Sequence, residues 1–166
     1  MHPTLTHLRA GFTSSLAAWL WLGGVGLVGC SENRPPEPAT YAQLLTSTTS
    51  KTWRLASLLV INDGGQPTNV PLGGCDADDQ YVFYAGDVRR FQVTEGATKC
   101  SPADPDVVVE SNWSLVNANA SLTFVLPLLA GSPYPFTIKS LTATTLTVEA
   151  YQDDNTSIRC LFNAVR

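Results

Sequence analysis

Histidine is nearly absent from this chain of 166 residues, and both of its histidines, His2 and His7, lie at the very start. Residues 8–166 therefore lack the side chain most often used for acid–base catalysis near neutral pH, which is also the commonest metal ligand. Serine or cysteine catalysis through a histidine base is excluded in this stretch. We expect that the chain is not an enzyme, and we predict no catalytic residue and no cofactor.

Acidic residues are absent before Glu32, and Arg9 and the two histidines supply a basic start. Residues 16–29 follow without a charged side chain. An apolar run of about 14 residues has the length of a signal-peptide core and is shorter than the ~20 residues that a membrane-spanning helix needs. An uncleaved membrane helix and an ordinary signal peptide are the alternatives to the interpretation that follows.

The apolar run ends in Leu27-Val28-Gly29-Cys30. This motif resembles the lipobox of bacterial lipoproteins, in which a diacylglyceryl group is added to the cysteine and a dedicated signal peptidase cuts just before it. The resemblance implies that residues 1–29 are a lipoprotein signal peptide and that lipidated Cys30 anchors the chain to a membrane. Ser31 follows at a position where some bacteria use aspartate to retain lipoproteins in the inner membrane. We therefore expect a cell-envelope protein on the outer membrane, facing the periplasm or the cell surface.

Cleavage before Cys30 would remove one of the ten basic residues and none of the 14 acidic ones. A mildly acidic chain with scattered charges is a poor binder of nucleic acid, so no such partner is expected. Residues 30–40 contain Pro35, Pro36 and Pro38 and predict an extended tether, at roughly 3.1 Å per residue. The rest, residues 41–166, has the length of one domain.

Residues 41–45 predict one short helix, which Thr40 can cap. Runs rich in β-branched and aromatic residues follow, and several alternate between apolar and polar positions, as strands with one buried face do. Short turns such as Ala85-Gly86-Asp87 and Thr142-Ala143 suit antiparallel hairpins. The chain is thus predicted to be all-β, an antiparallel meander that closes into a barrel, whereas an open sandwich needs longer connections. We predict about eight strands: 52–61, 80–84, 88–95, 107–116, 121–126, 135–141, 144–151 and 157–165.

The segment Ser50-Lys51-Thr52-Trp53-Arg54-Leu55, after a short helix, resembles the opening of a lipocalin. In that family a tryptophan on the first strand plugs the closed end of the barrel, and a late arginine lies over it. Arg159 and Arg166 are both open for that role, and Lys51 departs from the glycine of the family motif. The likeness to bacterial lipocalin-like lipoproteins covers most of residues 40–166, and it is carried also by residues 75–83, 95–100, 112–115 and 134–141.

Three cysteines remain after Cys30, and their spacing predicts one disulfide. Cys75 and Cys100 lie at similar distances before and after Gly86, so they flank the open end of one hairpin and can form a bridge. Cys160 falls on the apolar face of the last strand and is predicted to be a small buried hydrophobe. A bridge from Cys160 to one of the others is the alternative.

Acidic residues cluster on both sides of the predicted bridge. Oxygen-rich loops can bind Ca²⁺, but the spacing lacks the glycine and the distal glutamate of an EF-hand loop. Solvated acidic turns are common, so no metal site is predicted here. The cluster consists of Asp76, Asp78, Asp79, Asp104 and Asp106.

Aromatic side chains supply the candidate pocket. A barrel of eight strands is just wide enough either to be filled by side chains or to hold one small ligand. We expect a lipid-anchored, non-catalytic, lipocalin-like protein that binds a small apolar ligand. The alternative is a structural or interaction module of the envelope whose barrel is filled. The pocket or core residues are Trp53, Tyr81, Phe83, Trp113, Phe124, Phe136 and Phe162.

Overall fold

The structure, a computed structural model, describes residues 39–63 and 65–166. The predicted signal peptide, the lipidation site Cys30 and nearly all of the predicted tether lie outside these residues. Within them, no helix is long and apolar enough to cross a membrane.

One short helix, α1 (Tyr41–Thr46), opens the fold. Thr40 caps it as predicted, because its side chain accepts a hydrogen bond from the Gln43 backbone N–H at 3.2 Å. The Gln43 side chain in turn accepts one from the Thr40 backbone N–H at 2.8 Å, which completes a capping box. The helix ends at Ser47, whose positive φ of 58° turns the chain into the first strand.

The strands form one antiparallel sheet that is nearly closed into a barrel. They are β1 (Ser50–Asn62), β2 (Thr68–Val70), β3 (Gln80–Tyr84), β4 (Arg90–Thr94), β5 (Val107–Asn112), β6 (Ser114–Val116), β7 (Ser121–Phe124), β8 (Tyr134–Leu141), β9 (Thr145–Tyr151) and β10 (Thr156–Ala164). In the order β5-β4-β3-β1-β10-β9-β8-β7-β6, the two end strands β5 and β6 are neighbours in the chain and are separated only by Trp113. The predicted all-β barrel is therefore confirmed.

The eight predicted strands all occur, with three differences. The strand predicted over residues 107–116 is interrupted at Trp113, so its first half pairs with β4 and its second half with β7. The short strand β2, which pairs with residues 58–60 in the C-terminal half of β1, was not predicted. Val88 lies in the turn before β4 rather than in the strand, and it is 73% exposed.

Alternation along the strands fills the barrel with apolar side chains. In β9, Leu146, Val148 and Ala150 point inward and are fully buried, and in β10 the same holds for Cys160 and Phe162. A bulge in β1 between Leu55 and Ser57 shifts the phase of the strand by one residue. The interior is therefore one continuous apolar core.

The two ends of the barrel differ in chemistry. The end where α1 lies, which we call the helix end, also holds the turns at residues 85–89, 117–120 and 142–144. The opposite end, the loop end, holds residues 63–79, 95–106, 125–133 and 152–155. Nine of the 14 acidic residues of the chain belong to the loop end, against the single basic residue Lys99. The loop end is thus strongly acidic.

Trp53 joins α1 to the barrel. Its ring is fully buried, and its Nε1 donates a hydrogen bond to the Leu45 carbonyl at 2.9 Å. We predict that Trp53→Ala lowers the free energy of unfolding by about 3–5 kcal/mol, because a large buried ring and a helix contact are lost together. Chemical denaturation of the purified protein measures this change.

Thr52→Ala is the matched control, since the neighbouring side chain points to the opposite face of β1 and is only half-buried. It should cost less than about 1 kcal/mol. Equal losses for the two variants would contradict the strand phase described above.

Candidate functional site

The predicted aromatic set lies entirely in the barrel interior, where none of the seven residues is more than 3% exposed. Phe124 is at the centre: its ring centroid lies 4.6 Å from that of Phe136, 5.5 Å from that of Phe83 and 6.1 Å from that of Phe162. Tyr81 packs edge-on against Phe162 at 5.2 Å. These separations are those of aromatic pairs in direct contact, so the rings fill the space between the strands.

Phe91 belongs to the same cluster and was missed in the sequence. It is fully buried on β4, 4.8 Å from Phe83 and 5.5 Å from Phe124 between ring centroids. Its signal was present, because Phe91 and Val93 alternate with polar residues along the strand.

A depression of about 900 Å³ lies on the surface at the helix end. Trp113 forms part of its floor, with Ala42 of α1 and Gly86 and Arg89 of the β3–β4 turn. The Trp113 Nε1 donates to the Tyr84 carbonyl at 3.0 Å, and the Arg89 guanidinium lies 5.1 Å from the Trp113 ring centroid. A second, smaller depression of about 300 Å³ lies at the loop end beside Asn62 and residues 153–157.

The cation over Trp53 is Lys51 and not Arg159. The Lys51 Nζ lies 4.9 Å from the Trp53 ring centroid and donates to the Leu44 carbonyl at 2.7 Å. Arg159 is opposite Leu59, far along β1 from Trp53. The interpretation that left Arg159 open for this role was therefore wrong, because strand register places it in the other half of the barrel.

Arg159 instead pairs with Glu149, a buried carboxylate on β9. Its guanidinium lies 2.8 Å from Glu149 Oε2, and Ser157 donates to Glu149 Oε1 at 3.0 Å. Burial alone would raise the pKa of Glu149, but the hydrogen bonds from Arg159 and Ser157 outweigh it and hold that pKa below its usual range. Both carboxylate oxygens of Glu149 thus have partners.

The predicted disulfide between Cys75 and Cys100 is confirmed, with Cα atoms 5.0 Å apart. It joins the loop before β3 to the loop after β4, on the loop end. Cys160 is a free thiol and fully buried, as predicted, and burial raises its pKa to about 12. A thiol of that pKa is inert near neutral pH, so Cys160 acts as a packing residue.

A group of carboxylates lies beside the disulfide. The pKa of Asp79 is raised from 3.8 to about 6, mainly by burial and also by the negative charges of Glu95, Asp76 and Asp78. A hydrogen bond from the Gly96 backbone N–H acts in the opposite direction and lowers this pKa. Asp79 is only 8% exposed. Sequence analysis grouped three of these aspartates but missed Glu95, the residue directly after β4.

Asp104 and Asp106, which sequence analysis placed in the same cluster, have other partners. Asp104 accepts a hydrogen bond from the Ser101 backbone N–H at 2.8 Å and its carbonyl accepts one from Lys99 at 2.8 Å. Asp106 pairs with Lys99 at 2.6 Å. The predicted five-aspartate cluster therefore divides into two groups by their partners, and Asp79 is the only buried aspartate of the five.

The raised pKa of Asp79 has a definite effect on stability. Between pH 3.8 and about pH 6, Asp79 keeps its proton in the folded state but has lost it in the unfolded state. Above about pH 6, Asp79 is negatively charged in the folded state as well. The contribution of Asp79 therefore destabilises the fold as the pH rises. In the presence of a chelator, we predict that Asp79→Asn gains stability relative to the parent on going from about pH 5 to about pH 7.5, on the order of 1 kcal/mol.

Asp154→Asn is the control, because Asp154 is exposed on the β9–β10 turn of the same end. Its unfolding curves should follow the parent at both pH values. The same pH dependence in the Asp79→Asn variant and the parent would show that Asp79 is not the titrating group.

No model of a known protein family matches the chain, and a comparison with curated proteins found no match. Function is therefore inferred from the packed interior, the helix-end depression and the acidic group at the loop end.

Proposed function

We propose that this chain is a lipid-anchored, non-catalytic module of the cell envelope, with a lipocalin-like barrel that is filled and acts through its outer surface. The packed aromatic interior carries the proposal. A ligand inside the barrel would need the volume that Phe83, Phe91, Phe124 and Phe136 occupy, and all four are buried, with Phe124 in contact with each of the other three. The filled barrel of the sequence-based alternative is thus better supported than an internal ligand site.

The helix end is the surface that best suits a partner. Apolar side chains are exposed at this end on α1, in the β3–β4 turn, at the end of β6 and after β10, and the depression floored by Trp113 lies at the same end. Exposed apolar side chains grouped on one face are typical of interaction surfaces. These side chains are Tyr41, Val88, Val116 and Val165.

Native mass spectrometry of the protein purified in detergent from its own host tests the filled barrel. We expect no retained apolar molecule and no binding of an apolar fluorescent dye. Phe124→Ala should create dye binding, because it removes the ring at the centre of the interior and opens a cavity.

Phe124→Leu is the milder variant if Phe124→Ala fails to fold, and it should bind less dye. A stoichiometric apolar ligand in the parent protein, displaced by dye, would refute the filled barrel and favour the internal ligand site.

Anchoring is tested separately at Cys30. Cys30→Ala should leave an uncleaved precursor and abolish metabolic labelling with palmitate, because the thiol that accepts the diacylglyceryl group is gone. Stable anchoring needs more than one acyl chain, so the variant should also lose its lipid-dependent membrane fraction. Labelling equal to that of the parent would contradict the lipoprotein hypothesis.

A second candidate function is binding of a small ligand in the helix-end depression. The observation in its favour is an open space of about 900 Å³ in which the Arg89 cation lies over the buried Trp113 ring, with small apolar residues such as Ala42 and polar residues, among them Asp87, completing the lining. Such a ligand would carry a negative group placed to pair with Arg89 and away from Asp87. Arg89→Ala should then weaken binding of this ligand, while the barrel interior of the variant should still bind no dye. A ligand at the helix end is thereby distinguished from one inside the barrel.

A further inference from the structure

Three buried carboxylate oxygens at the loop end have no hydrogen-bond partner among the residues that the structure describes. They are Asp78 Oδ1, Asp79 Oδ1 and Glu95 Oε2. A buried oxygen that carries negative charge is costly without a partner, more so when neighbouring groups are also negative. Glu149 shows the contrast, since the same fold gives both of its oxygens a donor.

Asp79 is the key member of this group. It is more than nine-tenths buried, and the charges that act on it most strongly are those of Glu95, Asp76 and Asp78. No basic side chain is among the groups acting on Asp79. The one basic residue of the loop end, Lys99, is already engaged by Asp106 and by the Asp104 carbonyl. The charge of the group is therefore uncompensated.

The backbone around the group is held in place. The Cys75–Cys100 disulfide ties the two loops together, and Asp78 Oδ2 accepts a hydrogen bond from the Thr98 backbone N–H at 3.0 Å. Gly96 packs so closely on Asp78 that a Cβ at position 96 would overlap it. The carboxylates are thus kept together by covalent and packing constraints despite their mutual repulsion.

We propose that Asp78, Asp79 and Glu95, with Asp76 at the rim, form a Ca²⁺ site. Ca²⁺ is bound by carboxylate and carbonyl oxygens in flexible arrangements of six to eight ligands, whereas Mg²⁺ requires a compact octahedron. A cation bound here would compensate the negative charge of the carboxylates, and it would be the partner that the buried oxygens lack. In the described residues the oxygens of three of these carboxylates are not all within 4.8 Å of one another, so Ca²⁺ binding would require side-chain rotation that brings them together on the fixed backbone.

The compact set formed by Cys75, Asp76 and Cys100 is not the site. Both sulfur atoms are joined in the disulfide and have no thiolate to offer a metal. Asp76 Oδ1 lies 3.8 Å from the Cys100 sulfur, which places this carboxylate at the edge of the buried group. Asp76 therefore contributes charge and one outer oxygen.

Thermal unfolding of the purified protein with CaCl2 or with a chelator tests the proposal. With about 5 mM CaCl2 we expect the Tm to rise by about 3–8 °C, the range for a site of extracellular affinity in a domain of this size. NaCl of matched ionic strength should give no rise, and MgCl2 a smaller one. Asp79→Asn and, separately, Glu95→Gln should abolish the Ca²⁺-dependent rise, while Asp154→Asn should keep it.

These variants should fold, because each removes a buried negative charge from a repelling group. Their Tm in chelator should equal or exceed that of the parent. The proposal is overturned if CaCl2 leaves the Tm of the parent unchanged, if MgCl2 or NaCl gives the same rise, or if Asp79→Asn retains it.

Discussion

The pairing of β1 with β10 is the interaction on which the fold depends. It runs from Trp53 opposite Ala164 to Asn62 opposite Thr156, and it joins the two ends of the domain into one ladder. Without this pairing the sheet would have two long open edges, and the aromatic interior would be open to solvent on one side. Because the first strand is fixed against both β3 and β10, α1 can bind the barrel through Trp53.

The filled interior follows from the size of the side chains that this closure brings together. Eight strands enclose a space that is only wide enough for one layer of large residues, and this chain supplies aromatic rings to nearly every strand. Rings in edge-to-face contact leave little room for a ligand. The chemistry that remains available lies at the two ends: an open depression with the Arg89 cation at the helix end, and an acidic group around the buried Asp79 at the loop end.

The barrel could be predicted from the sequence because its determinants are local. Alternation in β9 and β10, the Gly86 turn and the Cys75–Cys100 spacing each depend on a few neighbouring residues, and all three hold in the structure. The break at Trp113 could not be predicted, since it depends on which strands close the barrel. Glu95 beside Asp79 was missed for a similar reason, because the β3–β4 register brings the two together from 16 residues apart. Lys51 over Trp53 was a local signal, two residues away on the same strand, and the comparison with the family motif hid it.

The position of the disulfide has a consequence for how the three cysteines after Cys30 choose partners while the chain is still unfolded. Cys75 and Cys100 are separated by 25 residues, with a single hairpin between them. By loop-closure statistics they meet roughly fourfold more often than Cys100 meets Cys160, and roughly sixfold more often than Cys75 does. Proximity along the chain thus directs oxidation to the native pair, and closure of the last strand then removes Cys160 from further exchange.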